Sequence, residues 1–190
     1  NTTNSLAFDV VQRISSVPVL GLINSAAEMI SEHRVGVLAT SATALSSAYK
    51  NHIEAVRPGT IVFEQACPAF VPMIEDGQLS STFRKKIALD YLNPLLEARV
   101  KEVILGCSHY PLLHNILDEI IPNEIRLIDP AIGLAQNLDL LIGFPPPHFQ
   151  HSKSITKTRF CVTSDPARFA IQTRALLGLL TEVEEVSLQP

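Results

Sequence analysis

Cys107 is followed two residues later by His109, and the pair stands where the apolar run Val103-Ile104-Leu105 ends at Gly106. Thiolates act as nucleophiles or as bases, and an imidazole nearby can move a proton or contact a ligand. A buried structural thiol is the plain alternative, but Ser108 and His109 beside it favour chemistry. Downstream, Pro111 opens a pattern with Leu112, Leu113, Ile116, Leu117 and Ile120 at helical spacing. A strand end just ahead of a helix is where open parallel sheets bind ligands. The helix N-terminus should favour thiolate over thiol. His109 is too close in sequence to be taken as the hydrolase-type base of Cys107; serving a ligand or tuning the thiol are its open alternatives.

Thr40 and Thr43 occupy a similar position, after the apolar run Val35-Gly36-Val37-Leu38-Ala39. Their hydroxyls and the local N–H groups suit a carboxylate, and simple helix capping explains them equally well. Asn1 and Thr2 carry the same two readings. Glu75 sits in the apolar segment Phe70 to Ile74, where it could orient a histidine or simply face solvent. Cys67 and Cys161 end apolar strands without polar company and read as buried packing thiols. His148 and His151 lie in a proline-rich stretch with no carboxylate beside them, so no metal site is expected. Glycine patterns for phosphate cradles are absent, as is a Gly-x-Ser-x-Gly elbow, so the chemistry is expected to need no cofactor.

Positioning these groups requires a regular scaffold. Apolar runs predict strands at 17–23, 34–40, 60–67, 102–106, 124–128, 158–163 and 183–188. Helical periodicity predicts helices over 3–14, 24–33, 43–55, 80–99, 111–121, 130–142 and 166–177, the fourth kinked at Pro94. Residues 69–76 read as irregular, and 143–151 as a proline-rich loop. Strands that are continuously apolar and alternate with helices indicate a parallel sheet covered on both faces, an α/β protein.

The chain has 190 residues, 46% of them hydrophobic and 18% charged, with a net charge of −4. Its densest basic cluster is Arg84-Lys85-Lys86, which reads as a solvated face of a predicted helix and argues against a nucleic-acid partner. No apolar run reaches the roughly 18 residues a membrane span needs, and no secretory signal opens the chain. Three cysteines without a Cys-x-x-Cys pair point to a reducing cytoplasm. The sequence begins at Asn1 without a methionine and enters a helical pattern at once, as expected of a chain cut inside a domain.

Several segments together resemble the glutamate racemases of the aspartate/glutamate racemase family. Leu105-Gly106-Cys107-Ser108-His109-Tyr110-Pro111 is similar to that family's second cysteine motif, Gly-Cys-Thr-His-Tyr-Pro. Val35 to Thr43 resembles its Ala-Thr-x-Ala-Thr segment, and Cys67 to Glu75 its Cys-Pro-x-Phe-Val-Pro-Leu-x-Glu segment. Asn1-Thr2 matches the end of its Cys-Asn-Thr motif, so the chain starts one residue after the first cysteine. Ser108 replaces the usual threonine, keeping the hydroxyl and losing a methyl.

The resemblance implies cofactor-independent interconversion of L- and D-glutamate by two cysteines on opposite faces of the α-carbon. It implies that Cys107 is the second acid/base, assisted by His109 with Glu75 supporting that histidine. Asn1, Thr2, Thr40, Thr43 and Ser108 would hold the amino and carboxylate groups of glutamate. It implies two flavodoxin-like α/β domains, a complete second one over 24–133 and a remnant of the first, incomplete here, over 1–23 and 134–190. That remnant should expose apolar faces, and the chain alone should be marginally stable and inactive. A cytoplasmic enzyme supplying D-glutamate for peptidoglycan, and so for cell wall and cell shape, is implied; a homodimer is among the assemblies such racemases adopt. The rival readings are a non-catalytic amino-acid-binding or interaction protein on the same fold, and a thiol hydrolase.

Overall fold

Four of the apolar runs pair side by side in one parallel sheet. The computed structural model describes residues 1–76, 80–143 and 158–188, and the chain divides into two units, Asn1–Pro145 and Pro146–Pro190. In the first unit the order along the chain is α1 (Thr2–Leu6), α2 (Phe8–Ile14), α3 (Leu22–Met29), β1 (Arg34–Ala39), α4 (Ser41–Ser46), α5 (Ala48–Val56) and β2 (Ile61–Ala66). There follow α6 (Phe70–Asp76), α7 (Ser81–Glu97), β3 (Glu102–Gly106), a 3-10 turn (Tyr110–Leu113), α8 (His114–Ile120), β4 (Arg126–Ile128) and α9 (Pro130–Ile142). The sheet order is β2-β1-β3-β4, all parallel. The second unit contains β5 (Phe160–Val162), α10 (Pro166–Leu177) and β6 (Val183–Glu185), with the two strands paired in parallel.

Central strands β1 and β3 are apolar because both faces are covered. Val35 to Ala39 and Glu102 to Gly106 are buried throughout. The α/β class with a parallel sheet is therefore present. Gly106 lets β3 approach β1 closely: a Cβ there would lie 2.8 Å from the Leu38 carbonyl oxygen and 2.9 Å from Val37 Cγ1. Backbone on one side cannot swing away as a side chain can. Gly106→Ala is expected to cost about 2 kcal/mol as overpacking, read as a lower urea midpoint; an unchanged midpoint would refute this.

Glu102 is the one carboxylate in this strand, and it is 1% exposed. Arg126 Nε (3.0 Å), the Ser31 hydroxyl (2.8 Å), the Ser31 N–H (3.0 Å) and the Glu32 N–H (3.1 Å) all donate to it. Burial alone would raise its pKa, but these donors outweigh it and hold the carboxyl below its ordinary value. The pair ties β3 and β4 to the segment after α3.

Several boundaries differ from the sequence expectation. The run 17–23 is not a strand; Pro18 lacks an N–H, and α3 begins at Leu22 with its Ile23 N–H held by Asn4 Oδ1 at 3.0 Å. A short apolar run does not distinguish a buried helix from a strand. The helix expected over 3–14 is broken at Ala7, and that over 43–55 at Ser47, which takes φ 53°. Residues 70–76 are helical, not irregular, because Phe70, Met73 and Ile74 share one buried face. Cys161 is exposed rather than packed, while Cys67 is buried. The proline-rich stretch with His148 and His151 lies outside the described residues beyond Gly143.

Among the described residues, every buried aliphatic or aromatic side chain except Pro130 falls between Ile23 and Ile128. Exposed large apolar side chains are frequent on either side of that span: Leu6, Val10, Ile14 and Val17 before it, and Leu138, Leu140 and Leu141 after it in the first unit. Ile171, Leu177, Leu180 and Leu188 are exposed in the second unit. No helix among the described residues is long and apolar enough to cross a membrane.

Candidate active site

The sheet order has β1 in the interior, with the chain leaving it toward β2 on one side and β3 lying on the other. Such a reversal opens a crevice at the carboxyl ends of the two strands. Register pairs Ala39 with Gly106, so the next residues, Thr40 and Cys107, emerge side by side at that edge. Ala39 also pairs with Ala66, which brings Cys67 to the same edge.

Cys107 is 7% exposed, and its Sγ lies 3.9 Å from His109 Nδ1. The other ring nitrogen, Nε2, is 3.3 Å from Glu75 Oε1. A carboxylate at Nε2 favours the tautomer with its proton there, which leaves Nδ1 as an acceptor facing the thiol. Thiol, imidazole and carboxylate thus form one proton path. Sequence proximity did not reveal this pairing; a 3-10 turn, rather than an immediate α-helix, lets the chain double back with His109 as its cap.

Aromatic packing fixes the two halves of that path against each other. The Phe70 ring, at the start of α6, meets Tyr110 edge-on at 5.0 Å and Tyr91 edge-on at 5.2 Å. The Tyr110 hydroxyl donates to the Cys67 carbonyl at 3.3 Å. α6 carries Glu75, and Tyr110 adjoins His109, so this cluster sets their separation.

Burial raises the pKa of the Cys107 thiol; N–H groups of His109 and Tyr110 act the other way without overcoming it. The expected preference for thiolate is therefore reversed at rest: the strand end is buried too deeply for the local N–H groups to compensate. Cys67 is pushed up to about 12, mainly by burial, and its S–H faces the Gln65 carbonyl at 3.4 Å.

A hydroxyl cluster flanks the thiol. Thr40 donates to Thr43 Oγ1 at 3.0 Å, and the Thr43 N–H reaches the Thr40 hydroxyl at 3.4 Å as the cap of α4. Thr2 Oγ1 lies 3.3 Å from Thr40 Oγ1 and 3.4 Å from Thr43 Oγ1. Capping and clustering coexist, so the two readings of these threonines do not exclude one another. Asn1 Oδ1 accepts from the hydroxyl of Tyr49, a residue the sequence reading passed over. Only the helical spacing of Tyr49 and Ile53 was visible in sequence, and that marks core. Ser108 is exposed and has no hydrogen bond among the described residues. Likewise, no group of three or more metal-ligating side chains gathers among the described residues.

A family model described as Asp/Glu/Hydantoin racemase matches residues 1–138. Glutamate racemase of Synechococcus sp. (strain CC9605) is 49% identical over 191 residues, spanning 100% of this chain and 71% of that protein. Glutamate racemase of Prochlorococcus marinus (strain NATL2A) is 43% identical, again over 100% of this chain and 71% of the relative. Among solved structures, the Francisella tularensis glutamate racemase in complex with D-glutamate superposes with a TM-score of 0.82 at 29% identity, covering 98% of this chain and 70% of that one. A glutamate racemase isoform from Bacillus anthracis shares the fold, with a TM-score of 0.84 at 23% identity, covering 98% of this chain and 71% of that one. With a family match over most of its length and relatives this similar end to end, the chain belongs to the Asp/Glu/Hydantoin racemase family.

Proposed function

We propose that the protein is an isomerase that interconverts L- and D-glutamate, with Cys107 as one of two acid/base thiols. The observation that carries this reading is the Cys107–His109–Glu75 path beside the Asn1, Thr2, Thr40 and Thr43 cluster at one sheet edge. Hydroxyls and an amide suit the α-amino and carboxylate groups, and Ser108 adds a hydroxyl at the mouth. A thiol that rests protonated is ready to deliver a proton to an α-carbanion. In the reverse direction it must first become thiolate, and His109 Nδ1 is placed to take that proton while Glu75 stabilises the imidazolium.

Inversion at the α-carbon needs a second acid/base on the opposite face. Cys67 does not supply it, since its S–H is turned to the Gln65 carbonyl and it does not fall at the family's first-cysteine position. Cys161 does not fall at the family's first-cysteine position. Residues 1–190 by themselves therefore hold one half of the acid/base pair. The distribution of buried and exposed apolar side chains supports residues 24–133 as a complete domain and the flanks as part of another. A homodimer acting on free glutamate in a bacterial cytoplasm, without cofactor, metal, nucleic acid or membrane and supplying D-glutamate for peptidoglycan, completes the proposal.

Circular dichroism of L-glutamate tests it. Protein expressed from the complete coding sequence should erase the signal, and the polypeptide of residues 1–190 should leave it constant. Persistence of the signal with the first protein overturns the racemase reading. Decay with the second overturns the one-thiol argument. Calorimetric binding of glutamate by both without turnover would favour the amino-acid-binding alternative.

A further inference from the structure

Tyr49 is 0% exposed and sits on α5, behind the carboxyl edge of the sheet. Its ring packs against Gly106: Cε2 lies 3.3 Å from where a Cβ of that glycine would be. A tyrosine here brings a polar hydroxyl into the core, which is costly unless that hydroxyl is paired. The partner is the side-chain carbonyl oxygen of Asn1, 48 residues away in sequence.

Which end of the Asn1 amide faces Tyr49 follows from satisfying both groups. A buried phenol must donate its proton. Turned the other way, the amide would offer only N–H bonds and the phenol proton would have no acceptor. The carbonyl end is thus fixed toward Tyr49. Asn1 Nδ2 donates to no described residue, so two N–H bonds remain for a ligand beside Thr2, Thr40 and Thr43.

We propose that Tyr49 is a positioning residue of the substrate site, its hydroxyl locking the Asn1 side chain so that the amide presents donors alone to the bound amino acid. The inference rests on the functional reading above and deepens it. An amide held this way receives a carboxylate oxygen and rejects an ammonium. Left free, it would rotate between the two orientations, and binding would weaken in both reaction directions. Bond making at the α-carbon would be little altered, because the Tyr49 hydroxyl bonds to Asn1 and to neither Cys107 nor His109.

The test compares wild type with Tyr49→Phe, both expressed from the complete coding sequence. Phenylalanine keeps the ring against Gly106 and removes only the hydroxyl. The KM for glutamate should rise about tenfold while kcat stays within about threefold, the signature of lost binding shared by ground and transition states. Adding Asn1→Ala to Tyr49→Phe should raise KM no further than Asn1→Ala alone, since both act through one amide. A purely structural hydroxyl would instead lower the urea midpoint and leave KM in place. An unchanged KM overturns the inference, whatever happens to kcat or the midpoint. Should the variant fail to fold, wild type labelled with 15N-asparagine decides: the Asn1 side-chain amide should be as rigid as the backbone without ligand, and mobility like that of an exposed asparagine overturns the inference. A wild type that fails to racemise glutamate sinks the functional reading itself; an active wild type with an unaffected variant sinks this inference alone.

Discussion

Cys107→Ser in protein expressed from the complete coding sequence should lower glutamate racemisation about 10³-fold or more in both directions. Serine preserves size and the ability to donate a hydrogen bond. What it loses is acidity, since a hydroxyl in that buried position cannot become an alkoxide at neutral pH when burial already raises the more acidic thiol. Circular dichroism started from pure L- and from pure D-glutamate measures both directions. A two-thiol mechanism adds a sharper expectation. The variant should still exchange the α-proton with deuterated solvent for the one enantiomer whose proton faces the remaining cysteine, without inverting it. Variant activity above about a tenth of wild type, outside the range of a lost acid/base, would remove Cys107 from the chemistry.

Arg126→Ala should destabilise the fold by about 2–3 kcal/mol, less than breaking a fully buried pair, because Glu102 is buried but the Arg126 side chain is half exposed. Arg126 also donates to the Met29 carbonyl at 2.7 Å, so its loss unties β4 from α3 as well as exposing Glu102 to an unpaired burial. The Ser31 and Glu32 donors remain, which limits the cost. Acid sensitivity should change with it. The folded-state pKa of Glu102 lies below its unfolded value of about 4.3, so its stabilisation is complete above that value and is lost as pH falls through the folded value. Without Arg126, burial gains relative weight, the folded pKa rises, and the variant should begin losing stability at higher pH than wild type. Urea midpoints between about pH 3.5 and 7 would show the two profiles diverging in the acid range. Parallel profiles would mean that Arg126 does not set the ionisation of Glu102.

These two residues illustrate what can be read without a structure. Cys107 was visible at once, because a thiol between an apolar strand and a proline-led turn is a local pattern. Glu102 was not: it falls inside the strand run as an apparent blemish, and its donors come from residues 31, 32 and 126. The same division runs through the fold. β1 and β3 were legible because central parallel strands are continuously apolar, and the edge strand β2 was legible from its apolar start Ile61-Val62-Phe63. Residues 17–23 and 70–76 were misread, because short apolar segments satisfy both periodicities and neighbouring elements decide between them.

By itself, the sequence determined the alternation of strand and helix, the α/β class and the identity of the groups able to do chemistry. Each of these is local, written in residue type and periodicity. Only the tertiary structure decided that Thr40 and Cys107 emerge together, that Glu75 reaches His109, and that Tyr49 holds Asn1. Those contacts join residues 34 to 67 positions apart and are set by sheet register and by which helix each crossover lays on the sheet. The protonation of Cys107 was decided there too. Local N–H groups argue for thiolate, but the depth of burial, a property of the whole packed edge, keeps the proton on sulfur.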